Sequence, residues 1–213
     1  DIAERLAQTR GFNGFSYADV AAELGVTKAS LHYHFISKTE LGRALLLRFR
    51  HGLNTSLTGF DTATMTPVQR LRAFAGIFTA VLAEERMCLC GMLAAEVTTL
   101  PAELRGLVND IFRQKESWVA RVLDDGRRAG VFQFAGTPAD RARVVVAIFE
   151  GAMLIARSMG EPERLRTAIE QVYAELGARR AGHSAAARQR PAAGDLLPAN
   201  VRVVPLRRRR RNQ

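Results

Sequence analysis

Apolar residues recur at every third or fourth position along most of the chain, which is the spacing of one face of an α-helix. Over the first 50 residues the runs are short, and glycines interrupt them. Ser16, Thr27 and Ser37 each precede such a run and are predicted N-caps, while Gly25 ends the run that contains Val20. This part of the chain therefore predicts four helices joined by tight turns.

From about residue 67 the apolar runs become longer. Pro67, Pro101, Pro138 and Pro162 each precede one, at the position where proline is favoured at a helix start. The longest run follows Pro101 and contains Leu104, Leu107, Val108, Ile111, Phe112, Trp118, Val119, Val122 and Leu123. No convincing alternating run indicates a strand, since residues 131–134 are too few. The pattern predicts an all-α fold of about nine helices.

Composition indicates a globular chain. Of its 213 residues, 47% are hydrophobic, enough for a core, and no stretch of about 18 apolar residues predicts a membrane helix. The two cysteines, Cys88 and Cys90, are too few and too close together for a disulfide framework, so a reducing, cytoplasmic setting is expected. The sequence starts at Asp1 inside a predicted helix and shows no secretory signal, and we expect that its first helix is truncated.

The formal net charge of +10 is distributed unevenly. Residues 179–213 contain ten Arg and one acid, Asp195, which gives +9. Residues 1–178 then contain 21 basic and 20 acidic residues, which gives +1. The last segment is rich in Ala, Arg and Pro and ends in five successive Arg, so it is expected to be a disordered tail, with an accessory contact to DNA phosphates as the alternative. Net charge alone is therefore no argument for DNA binding by the body of the chain.

A helix-turn-helix pattern is the stronger indication of function. Ala21, Gly25 and Leu31 have the spacing Ala-x3-Gly-x5-Leu. A small residue suits the point where two helices cross, glycine permits the left-handed backbone of the turn, and leucine anchors the second helix. That second helix would expose small and hydrogen-bonding residues, which suit a DNA major groove.

The stretch from Phe15 to Leu41, FSYADVAAELGVTKASLHYHFISKTEL, resembles the DNA-binding domain of the TetR/AcrR family. The resemblance implies a homodimeric repressor that binds a palindromic double-stranded operator and releases it when a small molecule binds. It implies base contacts by Lys28, Ala29, Ser30 and His32, and phosphate contacts by Ser16, Tyr17, Thr27, Tyr33, His34 and Lys38. His32 departs from the family, which usually has Tyr there. Metal binding by His32 and His34 is an alternative that their i, i+2 spacing disfavours.

The resemblance also implies a division of the chain. Residues 1–45 are expected to form the helix-turn-helix domain, residues 46–178 a larger ligand-binding and dimerisation domain, and residues 179–213 the tail. The helices predicted for 138–159 and 162–178 would form the dimer contact, with small residues such as Gly151 at the closest approach. No cofactor and no membrane partner are expected.

The candidate ligand site lies in the larger domain. Cys88, Cys90 and Met92 form a soft apolar patch in which a thiolate could react with electrophiles or oxidants, although the more ordinary interpretation is that both cysteines are small core residues. A metal site at the two cysteines is disfavoured because no His lies nearby in sequence. Three further residues on apolar stripes could orient a ligand or serve a structural role: Glu96, Trp118 and Glu150.

Two other classes of function compete with a repressor. An enzyme is disfavoured because the chain has no phosphate-binding glycine loop, nucleophile elbow or HExxH pair. A thiol-based redox sensor or helical ligand-binding protein without functional DNA binding remains the alternative to a repressor.

Overall fold

The structure, a computed structural model, describes residues 1–177. Within that span the chain forms nine α-helices and no strand, which confirms the all-α prediction. The helices are α1 (Ile2–Arg10), α2 (Tyr17–Leu24), α3 (Lys28–His34), α4 (Lys38–Phe60), α5 (Pro67–Ala83), α6 (Leu89–Ala95), α7 (Ala102–Arg128), α8 (Pro138–Met159) and α9 (Glu163–Glu175). The expected tail, residues 179–213, lies outside the described residues.

Most helices begin where the sequence provides a cap. Ser16 accepts a hydrogen bond from the backbone N–H of Asp19, whose carboxylate in turn accepts from the backbone N–H of Ser16 at 2.7 Å. Thr27 and Ser37 cap α3 and α4 through the same type of contact. Pro67 and Pro138 occupy the first helical position of α5 and α8. The predicted starts of these helices are confirmed.

The core surrounds α7, which packs against α4, α5, α6 and α8. One face of α7 is buried along its whole length, as its apolar spacing predicts. The aromatic part of this core joins three helices, since the ring of Phe74 lies 5.6 Å from that of Trp118 and 6.2 Å from that of Phe149. The helices around α7 thus form one core, which reaches the N-terminal helices through α4 and α6.

Helix α4 continues without interruption from Lys38 to Phe60. Its first turns pack in the N-terminal part, where Leu41, Leu45 and Leu46 are buried, and its last turns bury Leu53 and Leu57. The expected boundary between residues 45 and 46 therefore falls inside a helix rather than in a linker. The described residues belong to one compact unit.

The C-terminal end of α1 is bonded directly to the larger part of the chain. Arg157 of α8 donates to the carbonyl oxygens of Gln8, at 3.3 Å, and Thr9, at 2.9 Å. The backbone N–H of Met87 also donates to the Gln8 carbonyl, at 3.1 Å. Because the last carbonyls of a helix have no partner within it, these donors complete the end of α1 and fix it against α6 and α8.

Among residues 1–177, no helix combines the length and the apolar character that crossing a membrane requires.

Helix α8 is apolar on two sides. Its inner side is buried, whereas Val144, Leu154, Ile155 and Met159 are exposed in the single chain.

Candidate nucleic-acid interface and buried charge cluster

The turn between α2 and α3 has the geometry that the helix-turn-helix pattern predicts. Gly25 is left-handed, with φ 69°, and the next residue, Val26, donates its N–H to the carbonyl of Ala21 at 3.1 Å. Ala21 is buried against α3, and Leu31 is the buried residue of α3 itself. One face of α3 is thereby fixed, and its other residues are left at the surface.

That surface consists of small, polar and aromatic side chains. Tyr33 is the most exposed of the aromatic residues, at 85%. Thr27 accepts from the backbone N–H of Ser30 at 3.2 Å, and the ring of His32 lies edge-on to that of Tyr17 at 4.5 Å. The exposed residues that were predicted to contact DNA are Ser16, Thr27, Lys28, Ala29, Ser30, His32, Tyr33 and His34.

Two of the predicted phosphate contacts, Tyr17 and Lys38, are directed into the protein instead. The hydroxyl of Tyr17 donates to the carbonyl of Phe35 at 2.9 Å. The ammonium of Lys38 donates to the carbonyl of Phe15 and lies 4.5 Å from the centre of that ring. Burial raises the pKa of the Tyr17 phenol and lowers that of Lys38. In this structure Tyr17 joins the start of α2 to the end of α3, and the half-buried Lys38 joins the start of α4 to the segment before α2.

The outward face of α3 can form hydrogen bonds without rearrangement. Lys28 is a positive charge at the start of the helix, Ser30 provides a hydroxyl, and His32 and His34 provide ring nitrogens. These groups match the base edges and phosphates of a DNA major groove, into which a helix fits. The surface is thus suited to nucleic acid by its shape and its donors.

A small cavity lies inside the larger part of the chain. Its volume is about 20 Å³, which is room for one water molecule, so an organic ligand needs side chains to move. It is lined by Gln8, Phe49, Leu53, Phe74, Ile77, Phe78, Val81, Cys88, Lys115 and Met153. Of the six residues predicted to bind ligand, Cys88 alone is among those that line it. Gln8 brings helix α1 into contact with the same cavity.

Beside the cavity, four titratable side chains form a buried cluster. The ammonium of Lys115, which is 2% exposed, donates to the carboxylate of Glu150 at 2.8 Å and to the sulfur of Cys88 at 3.1 Å. Cys90 is the fourth member and acts on the pKa of the same sulfur. Cys88 precedes α6, Lys115 lies on α7 and Glu150 on α8, so the cluster joins three elements. Sequence reasoning named three of these residues but not Lys115.

Each member of the cluster titrates away from its usual range. The hydrogen bond from Cys90 and the charge of Lys115 lower the pKa of Cys88 despite its burial, whereas burial raises the pKa of Cys90. Burial and the neighbouring charge of Cys88 raise the pKa of Glu150 to about 8. Burial alone would lower the pKa of Lys115, but the charges of Cys88 and Glu150 outweigh it and raise that pKa. A cysteine that is a thiolate at neutral pH is a strong nucleophile.

The other predicted ligand residues have structural contacts here. The carboxylate of Glu96 accepts from the backbone N–H of Phe12 at 2.8 Å and that of Asn13 at 3.2 Å, and so joins α6 to the end of α1. Trp118 is 2% exposed and donates to Asp61 at 2.9 Å. The sulfur of Met92 lies 3.9 Å from Arg157. Glu96 and Trp118 therefore have structural contacts in this structure, which was one of the two roles expected for them.

Sequence reasoning missed Lys115 and Gln8, the buried polar residues of the chain's described part. Lys115 lies four residues after Ile111 and four before Val119, so it occupies the apolar stripe of α7. A charged residue in such a stripe is a signal that could have identified it, because burying a charge requires a partner. Gln8 follows Leu6 and Ala7 in α1 and gives no comparable signal.

The chain matches known proteins over both of its parts. Residues 1–45 match the family described as bacterial regulatory proteins, tetR family, and residues 67–172 match the tetracyclin repressor-like C-terminal domain. The HTH-type transcriptional repressor NemR of Escherichia coli strain K12 is 28% identical over 178 residues, covering 79% of this chain and 87% of that protein.

Two solved structures resemble this chain along most of its length. A transcriptional regulator of the TetR family from Agrobacterium tumefaciens is 30% identical, with a TM-score of 0.79, over 82% of this chain and 93% of that one. The reduced form of E. coli NemR is 25% identical, with a TM-score of 0.71, over 83% of this chain and 94% of that one. With both domains matched and the helix-turn-helix geometry present, the chain belongs to the TetR family of transcriptional regulators.

Proposed function

We propose that this protein is a ligand-responsive repressor that binds a palindromic operator as a homodimer. The observation that supports this most is the exposed polar face of α3, fixed by the Gly25 turn with its donors directed outwards. In this proposal Lys28, Ala29, Ser30 and His32 contact bases, and Ser16, Thr27, Tyr33 and His34 contact phosphates. Residues 1–45 provide the DNA contacts and residues 46–178 the inducer and dimer contacts.

The dimer contact is proposed on α8, next to α9. Leu154 and Ile155 are each about half exposed in the single chain, at 56% and 51%, and Met159 extends the same apolar surface by one turn. An apolar surface of this kind on a helix is typical of an interface between subunits. Two copies related by a twofold axis would present two α3 helices to successive major grooves, roughly 34–36 Å apart.

The inducer is proposed to act at the cavity and to be a small molecule that reacts with Cys88. The cysteine lines the cavity, its sulfur accepts a hydrogen bond from Lys115, and Lys115 and Cys90 lower its pKa, which favours the thiolate. Gln8 of α1 lines the same cavity, so a ligand there would touch the N-terminal domain directly. This geometry supports a repressor whose DNA affinity depends on the state of the cavity.

Selection of bound sequences from random double-stranded DNA tests the proposal. A palindromic motif is expected, with half-site centres about 10 base pairs apart because a twofold dimer spans one DNA turn. Substituting Lys28→Ala or Ser30→Ala should change the preference at one or two positions of each half-site, at about 1–3 kcal/mol each. His51→Ala, which alters an exposed residue of α4 away from α3, is the matched control and should leave the motif unchanged.

Each result decides part of the proposal. Selection of no motif by the folded protein would favour a ligand-binding protein without functional DNA binding. A motif without a palindrome, or a half-site bound as tightly as the full site, would contradict the dimer. An unchanged motif in both α3 variants would remove that helix from the base contacts.

A further inference from the structure

Two acidic groups in the buried cluster contact one cation. The ammonium of Lys115 lies 2.8 Å from a carboxylate oxygen of Glu150 and 3.1 Å from the sulfur of Cys88. A buried cation needs an anion beside it, but a second buried anion would have no charge to neutralise it. One of the two acids therefore keeps its proton in the folded protein.

The hydrogen bonding of the two acids favours the sulfur as the anion. Cys88 accepts a hydrogen bond from Lys115, and Cys90 and the backbone of Gly91 also lower the pKa of Cys88. Glu150 receives one, from Lys115 on Oε1, whereas its buried Oε2 finds no partner among the described residues. Because an ionised carboxylate needs partners for both of its oxygens, the unpartnered Oε2 favours the protonated form of Glu150 and leaves the sulfur as the anion.

Among residues 1–177, the charges that act on the pKa of Lys115 belong to the cluster itself. The rings of Phe49, Phe78 and Phe112 lie 5.2–5.9 Å from the Lys115 ammonium. Together with Cys90, the three charged or acidic groups already named are the titratable side chains that act on one another here. The charge of Lys115 must be balanced within the cluster itself.

We propose that in the resting protein Cys88 is a thiolate and the counterion of Lys115, while Glu150 holds a proton, and that modification of Cys88 transfers the counterion role to Glu150. The inference rests on the proposed function only in giving Cys88 the role of the reactive thiol. Glu150 is a positioning residue in this scheme, since it keeps the cluster at one cation and one anion before and after the reaction.

The scheme favours one class of inducer, a small apolar α,β-unsaturated carbonyl compound. The Cys88 sulfur forms a bond to the β-carbon, and the electron pair of the carbon–carbon double bond moves into an enolate. The enolate takes a proton at its α-carbon, and Glu150 gives up one proton. Lys115 then pairs with the Glu150 carboxylate, and no net charge enters or leaves the apolar site. Charged electrophiles would be excluded by the cost of burying them.

Alkylation of the full-length protein by iodoacetamide tests this without operator DNA. In that reaction the sulfur–carbon bond forms, iodide leaves, and the proton of Glu150 goes to solvent. The rate at Cys88 is followed by mass spectrometry with fragmentation that separates it from Cys90. Infrared spectra before and after alkylation report the C=O stretch of a protonated carboxyl. The variants are Glu150→Gln and Lys115→Met, with Glu170→Gln, an exposed residue of α9, as the control.

At neutral pH the alkylation rate of Glu150→Gln should lie within about threefold of the native rate, because Cys88 is already a thiolate. The rate of Lys115→Met should be at least about tenfold lower, because the cation that stabilises the thiolate is gone. The native chain should lose one protonated-carboxyl band on alkylation, and Glu150→Gln should lack that band. If Glu150→Gln reacts more than about tenfold faster and the native chain shows no such band, Glu150 is the resting counterion and the proposal is wrong. The infrared spectra of the native chain alone test whether Glu150 is protonated, even if a variant fails to fold. Because no DNA is used, failure here leaves operator binding untouched.

Discussion

Lys115 is 2% exposed, so its charge must be neutralised by the groups that face it. Which of those groups carries the negative charge determines the chemistry of the site. The partners of Lys115 are an acid that is normally ionised at neutral pH, Glu150, and one that normally is not, Cys88. Burial and hydrogen bonding reverse that order, since the pKa of Cys88 is lowered and that of Glu150 is raised to about 8. The reactivity of the thiol is therefore a property of the cluster rather than of the cysteine.

The titration of Glu150 predicts a pH dependence of stability. In the unfolded chain a glutamate titrates near about 4.3, whereas in the folded protein Glu150 does so at about 8. The folded state holds a proton that the unfolded state has lost, so the stabilisation is full below the unfolded pKa and disappears as pH rises through the folded one. Relative to Glu150→Gln, the native chain should lose up to about 1.4 kcal/mol of unfolding free energy per pH unit across this window.

Urea unfolding of both proteins at several pH values measures this difference. Cys88 is present in both, so its opposite shift largely cancels in the comparison. A constant difference between the two unfolding free energies from acidic to neutral pH would mean that Glu150 is ionised in the folded protein.

At the residue scale, the sequence allowed the thiols to be identified but not their partner. Cys88, Cys90 and Glu150 were candidates because of their chemistry and their place in apolar runs. Lys115 was missed because the apolar residues of the α7 stripe carry the helical spacing without it. Which of the candidates lines the cavity depends on how α1, α4, α5, α7 and α8 meet, and that is a tertiary property.

At the scale of single elements, the local signals were sufficient for most of the described fold. N-caps, prolines and terminal glycines act within one turn of their helix, so their effect can be inferred from a few residues. Helix α4 is the exception. Gly52 and Gly59 lie within it, and its length through Phe60 comes from the burial of Leu53 and Leu57 against the core. Long-range packing determined an extent that local signals did not predict.

Two glycines provide a matched test of the turn before α3. Gly25 has φ 69° and Gly52 lies within α4, and a Cβ at either position would meet nothing within 4 Å. Gly25→Ala should destabilise the protein by about 1 kcal/mol because the left-handed backbone disfavours a side chain. Gly52→Ala should stabilise it by about 0.5–1 kcal/mol, because alanine is the better helix residue.

Thermal or urea unfolding separates the two signs. Since neither substitution creates a steric contact, the difference between them isolates the backbone conformation. Equal effects of the two changes would show that the turn does not require its left-handed glycine.

At the scale of the whole molecule, the N-terminal helices and the cavity are connected over a very short path. Arg86 donates to the side chain of Gln8 at 3.2 Å, and Met87 donates to its carbonyl at 3.1 Å. Both residues directly precede Cys88. A change at that cysteine can therefore act on α1 through adjacent residues, without a chain of intermediate helices. Such coupling needs two arrangements of the connecting element, and the end of α1 with its external donors is the element proposed for this role.

Arg157 offers the test of that coupling. Its two hydrogen bonds to the Gln8 and Thr9 carbonyls fix the end of α1 to α8. Arg157→Met keeps the length of the side chain and removes both donors. Operator binding by the unmodified protein should change little, but alkylation of Cys88 should alter operator affinity less than in the native chain, with a loss of about 1 kcal/mol or more of coupling free energy.

For each protein, the dissociation constant of the operator complex is measured before and after alkylation of Cys88. The quotient of the two values is the ratio that is compared between proteins. Arg164→Met is the control, because Arg164 is exposed and pairs at 2.6 Å with Glu161 beside the same end of α8. The control should retain the native ratio. If the ratio for Arg157→Met equals the native one while its cysteine is fully alkylated, the end of α1 does not transmit the change. The signal then passes through α4, the helix that spans both parts of the chain.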